Sequence, residues 1–141
     1  MFVCCSPVQN EQSNKSASKE YEIPTELTIS LKDCLSQVES EYLIFFHSKM
    51  CTHCQEIKGD VLSFSSENIL KTYFLDIMEP NNEVPICVKE EIVIGVTNYE
   101  DIKILGTPTI IKVENGKTTM NVGGKENCLT LLNEERMNSK K

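Results

Sequence analysis

"FFHSKMCTHCQEIK", residues 45–58, decides how the rest of the chain is read. An apolar run ends at His47, a few polar residues follow, and then Cys51 and Cys54 frame Thr52 and His53. Tyr42 to His47 is too short for a buried helix and rich in aromatics, as a strand covered on both faces is. Cys54, Ile57, Val61 and Phe64 recur at helical spacing, which places Cys51 at the start of a helix and Cys54 one turn inside it, facing the core. A thiol in a first helical turn meets the positive end of the helix dipole and unpaired N–H groups, so its thiolate is favoured. A second thiol one turn along reaches that sulfur and closes a disulfide. Cys51 is the expected nucleophile and Cys54 the resolving thiol. A zinc half-site is the competing reading, but it needs four ligands. His47 or His53 adds one to the cysteine pair, and no fourth is evident. The strand-to-helix context favours redox chemistry, with no metal and no cofactor.

At 141 residues and 40% hydrophobic, the chain is one domain with its own core. A net charge of −7, with no basic cluster beyond Lys140-Lys141, argues against nucleic acid as a partner. No apolar run approaches the ~20 residues that a membrane-crossing helix needs. The 7 cysteines are odd in number and scattered, which is a poor pattern for a disulfide scaffold. Cys34 and Cys128 sit at apolar-periodic positions and are assigned to the core. Cys87, in an irregular Pro-containing stretch, stays open as a third redox thiol.

Residues 1–22 read as a flexible tether, 23–137 as the folded domain and 138–141 as a frayed end. Met1 to Cys5 resembles the end of a bacterial lipoprotein signal peptide, which implies a lipid anchor at Cys4 or Cys5 and an extracytoplasmic, membrane-tethered protein. A disordered tail on a cytosolic protein is the alternative. Within the domain, Glu26 to Ile29 suggests a short strand. Ser30 with Asp33 suggests a capping box before a helix presenting Leu31, Cys34, Leu35 and Val38. Thr72 to Ile77 reads as a second buried strand, and Ile86 to Val96 as an insertion of undecided structure. Asn98 to Gly106 suggests a short helix. Two strands flank Glu114-Asn115-Gly116, where Asn-Gly favours a tight hairpin. A last helix carries Cys128, Leu129, Leu131, Leu132 and Met137.

This order, with CTHC opening a helix after a buried strand and Gly106-Thr107-Pro108-Thr109-Ile110 opening a late strand, resembles the thioredoxin family across residues 26 to 135. The resemblance implies an α/β thioredoxin-like fold, a central mixed sheet flanked by helices, with an insertion before the cis-proline strand. It also implies a monomeric thiol-disulfide oxidoreductase acting through Cys51 and Cys54 on protein or peptide thiols and disulfides, together with a redox partner. Pro108 would be cis, and Thr107 and Pro108 would position the substrate. Departures are Met50 where the family carries Trp, and the lack of a buried acidic residue in YLIFF, which leaves water, His53 or Glu56 to take the Cys54 proton. His53 stands where the dithiol oxidases and isomerases of the family carry histidine. Stabilising the reduced form would make the pair a stronger oxidant. A non-catalytic module of the same fold, such as an accessory subunit of a secretion or bacteriocin system, and a metal carrier are the alternatives.

Overall fold

The computed structural model describes residues 22–140. The proposed tether up to Tyr21, with Cys4 and Cys5, lies outside the described residues. The framework is β1 (Glu41–His47), α1 (Thr52–Ser65), β2 (Lys71–Asp76), β3 (Thr109–Glu114), β4 (Lys117–Gly123) and α2 (Lys125–Ser139). The sheet is mixed, in the order β2-β1-β3-β4. β1 runs parallel to β2, with His47 opposite Asp76, and antiparallel to β3, with Phe46 opposite Thr109. Asn115 (φ 53°) and Gly116 (φ 76°) make the β3–β4 turn with both central residues in the left-handed region, as a two-residue hairpin requires.

Strand alternation divides the core in two. Leu43 and Phe45 pack with Cys54, Ile57, Val61 and Phe64 of α1 and with Cys128, Leu131 and Leu132 of α2. Tyr42, Ile44 and Phe46 point to the other face, among Leu31, Cys34, Val84, Val96, Ile102 and Ile104. Both α-helices thus cover one face. Irregular segments, residues 29–35 and the long connection from β2 to β3, cover the other. That connection is the insertion expected before the proline strand, with 3-10 helices only at Lys89–Glu91 and Tyr99–Asp101.

Several expected elements change form. Glu26 to Ile29 is no strand: Thr25–Leu27 is a 3-10 helix, and a single bridge ties Thr28 to Phe74. The helix expected after Ser30 is a turn, because side chains take the carbonyls that would continue it. The Asp33 carbonyl accepts from Gln37 Nε2 at 2.9 Å, and the Cys34 carbonyl from the Tyr42 hydroxyl at 2.6 Å. Val38, counted on the buried face of that helix, is 93% exposed. The short helix behind Asn98 is a 3-10 helix of 3 residues. Met137, placed with the apolar positions of the last helix, is exposed, and α2 continues to Ser139 beyond the expected fraying point. Cys34 and Cys128 are buried as expected.

Tyr42 therefore anchors a segment that has no ladder of its own. Tyr42→Phe leaves the Cys34 carbonyl short of a donor, and we expect it to cost about 1–2 kcal/mol. Urea denaturation checks this; an unchanged midpoint would mean the bond contributes nothing.

Candidate functional site

The site forms where the C-terminal end of β1 meets the N-terminal end of β3. After His47 the chain turns sharply: the Cys51 N–H donates to the Ser48 carbonyl (3.1 Å), and the Met50 N–H to the Ser48 hydroxyl (3.1 Å). Ser48 is buried, so its hydroxyl fixes the loop from inside. Cys51 is the N-cap residue of α1, and its sulfur accepts the Cys54 N–H at 3.1 Å, in the place usually taken by a Ser, Thr, Asn or Asp oxygen. The nucleophile candidate is half-buried at the positive end of a helix.

Cys54 faces the core and is 1% exposed. Burial, and then the neighbouring Cys51 sulfur, push its thiol well above the ordinary value. The Ser48 backbone N–H and the Thr107 side chain act in the opposite sense. Thr107, just before β3, is thus near enough to the Cys54 thiol to favour its charged form, and the Thr107-Pro108 bond is cis. The Pro108 carbonyl accepts the Gly124 N–H at 2.9 Å, tying the start of α2 to the same corner. Cys51, Cys54, Thr107 and Pro108, distant in sequence, meet at one end of the sheet.

His53 lies in the first turn of α1, exposed, with Nδ1 2.9 Å from Glu56 Oε1. Glu56 is also held by Lys125 at 3.0 Å. These partners, His53 first, keep its carboxyl below the usual range. The pair points away from Cys54, which lies on the buried side of the helix, so neither His53 nor Glu56 is placed to take its proton directly. Cys87 is half-exposed in the insertion, its N–H bonded to the Ile104 carbonyl at 2.8 Å.

Sequence reasoning treated His47 only as a possible metal ligand. It is 6% exposed, stacked on Phe45 (5.5 Å between centroids) and edge-on to Phe74 (6.1 Å). Burial pushes its imidazole down to about 4, against Asp76, which raises it; Lys58 adds to the lowering. It opens onto a cavity of about 670 Å³ that Lys49, Lys58, Asp76 and Glu79 also line. The signal was available, since strand alternation puts His47 on the face of Phe45. Among the described residues no three His, Cys, Asp or Glu side chains converge to hold a metal ion.

Neither a protein-family model nor a curated protein matches the sequence. Solved structures do. Chlamydomonas reinhardtii thioredoxin f2 superposes with a TM-score of 0.54 at 15% identity, covering 77% of this chain and 94% of its own. A point-mutant thioredoxin from Halobacterium salinarum gives 0.54 at 16%, covering 79% and 88%. A cysteine-to-serine mutant thioredoxin from Entamoeba histolytica gives 0.52 at 22%, covering 77% and 96%. With the mixed sheet and its two helices on one face, these likenesses establish that the chain has the thioredoxin fold.

Proposed function

We propose that the chain is a thiol-disulfide oxidoreductase acting on protein or peptide clients, with Cys51 as nucleophile and Cys54 as resolving thiol. The observation that carries the reading is the pairing of a half-exposed helix-capping sulfur with a buried thiol one turn below it. In the reducing direction the Cys51 thiolate attacks a client disulfide, forming a mixed disulfide and releasing one client sulfur as thiolate. Cys54 then attacks the Cys51 sulfur, and the second client sulfur leaves. Two electrons pass from the pair to the client, and the Cys54 proton balances the departing thiolate. The same steps reversed oxidise a client dithiol. Thr107 and Pro108 line the approach and orient the client backbone.

His53 sets the direction in this proposal. With Nδ1 facing the Glu56 carboxylate, Nε2 carries a proton only in the imidazolium, and that charged form, two residues from Cys51 in the first turn of α1, is the one that favours the thiolate. A donor that favours the thiolate, and gains nothing from the neutral disulfide, makes the pair more oxidising than the roughly −270 mV of thioredoxin. Equilibration with glutathione gives the potential, and insulin reduction gives the turnover. We expect exchange with both, and a potential that moves downward in His53→Pro. No exchange with either partner would leave a binding module whose CTHC is structural, and an unmoved potential would remove His53 from the account.

A further inference from the structure

Large apolar side chains stand in solvent around the end of the sheet that carries Cys51. Met50, immediately before Cys51, is 82% exposed, and Met78, just past the end of β2, is 61% exposed. Because β2 is parallel to β1 and the Ile77 N–H donates to the His47 carbonyl at 3.0 Å, Met78 leaves the sheet at the Cys51 end.

The insertion brings a third such side chain to the same end. Asn121 Nδ2 donates to the Lys103 carbonyl, and a Cβ on Gly123 would stand 3.0 Å from the Leu105 side chain. Residues 103–106 therefore run beside β4 toward Thr107. Ile86 bridges Ile104 in parallel, and the Cys87 N–H bonds the Ile104 carbonyl, so residues 86–88 run the same way. Val88, 60% exposed, and the 3-10 helix Lys89–Glu91 thus project at the proline end of the site.

Acidic side chains outnumber basic ones among these apolar groups. Glu79, Glu83, Glu90 and Glu91 lie in the connection from β2 to β3, which also carries Glu100 and Asp101 against Lys89 and Lys103. None of the first four is in a salt bridge among the described residues, whereas Lys125, the cation at the start of α2, is held by Glu56. Lys49, next to Met50, and Lys58 line one cavity with Asp76 and Glu79.

Exposed apolar groups clustered beside a reactive centre mark a contact surface, and methionine suits one that accepts varied sequences. Unpaired carboxylates in that surface attract cations and raise the encounter rate with basic partners. We propose that the rim made by Met50, Met78, Val88, Glu79 and Glu90 is the client-docking surface, and that it selects extended polypeptides bearing Lys or Arg next to apolar residues around the reacting cysteine. This inference rests on the redox reading of Cys51 and Cys54 and names the substrate class of that site.

The test uses the full chain and two synthetic peptide disulfides of equal length, one with Lys and Leu flanking each cysteine and the other with Glu and Leu, beside a small uncharged disulfide as reference. The basic peptide should react about tenfold faster than the acidic one at low salt, with the gap closing as salt is raised. In a Glu79→Lys, Glu90→Lys double variant the preference should invert. In Val88→Ser the rate on the basic peptide, taken relative to the small disulfide, should fall severalfold. Equal rates for the two peptides, or a preference indifferent to salt and to the charge reversal, would overturn the docking surface while leaving the exchange chemistry intact. Failure to react with the small disulfide would instead overturn the redox reading. A photo-crosslinker replacing Val88 should capture the basic peptide; capture of residues 1–21 of this chain or of a second copy in its presence would overturn the assignment.

Discussion

A Cys54→Ser variant is expected to accumulate as a mixed disulfide with its client, whereas Cys51→Ser should lose exchange down to the uncatalysed background. The asymmetry follows from where the two sulfurs lie. Only Cys51 is both half-open to solvent and seated at the helix N-terminus, bonded by the Cys54 N–H. Cys54 lies beneath it, its thiol raised by burial, and meets a client sulfur only by attacking Cys51 from inside. Serine at position 54 leaves the first exchange untouched and removes the group that ends it. Serine at position 51 removes the nucleophile itself, because the thiolate is the reacting species. Non-reducing electrophoresis and mass spectrometry of acid-quenched mixtures would show the adduct on Cys51. An adduct on Cys54 in the Cys51→Ser protein would reverse the assignment.

How far the sequence carried this picture differs from segment to segment, and for physical reasons. β1 and α1 were readable because their periodicities are local and strong: a continuous apolar run of strand length, then Cys54, Ile57, Val61 and Phe64 at helical spacing. The hairpin was readable because Asn115-Gly116 has few alternatives to left-handed backbone. The turn after Ser30 was not, since its Leu31, Cys34 and Leu35 spacing suits a helix; the Tyr42 hydroxyl that ends it comes from another element. The insertion defeated pattern reading for a related reason. Val84, Val96, Ile102 and Ile104 each bury one side chain on the sheet, yet no repeating backbone conformation connects them. At the site, CTHC and Thr107-Pro108 were evident as motifs. That His53 bonds Glu56, and that Ser48 bonds the loop from within, depend on side-chain directions that no residue spacing encodes.

His47 gives the second large effect, a loss of stability in mild acid. Its imidazole is driven from an ordinary 6.5 to about 4, chiefly by burial. Asp76 on β2 pulls the value up, Lys58 on α1 pulls it down, and Lys49 and Glu79 face the same cavity. Above the ordinary value histidine is neutral in both the folded and the unfolded chain and contributes no pH dependence. As the pH falls from 6.5 toward 4, the unfolded chain takes up a proton that the folded one refuses, so stability declines; below the folded value both are protonated and the penalty stays constant. At about 1.4 kcal/mol for each pH unit crossed, the loss is on the order of 3 kcal/mol. That is a large part of the stability of a domain this size. Glu56 and Glu67 have lowered values from their ion pairs, so their contributions are lost below the ordinary carboxylate range, and at exposed positions solvent screens them. The comparison that isolates His47 is therefore the change in unfolding free energy between pH 7 and pH about 4.5 for the parent and for His47→Gln. The substituted glutamine keeps a polar group of similar reach and does not titrate in this range, so on acidification the variant should lose about 3 kcal/mol less than the parent. Equal acid losses in the two proteins would show that the imidazole is protonated in the folded state and that the cavity beside it, with Asp76, admits enough water to solvate the charge.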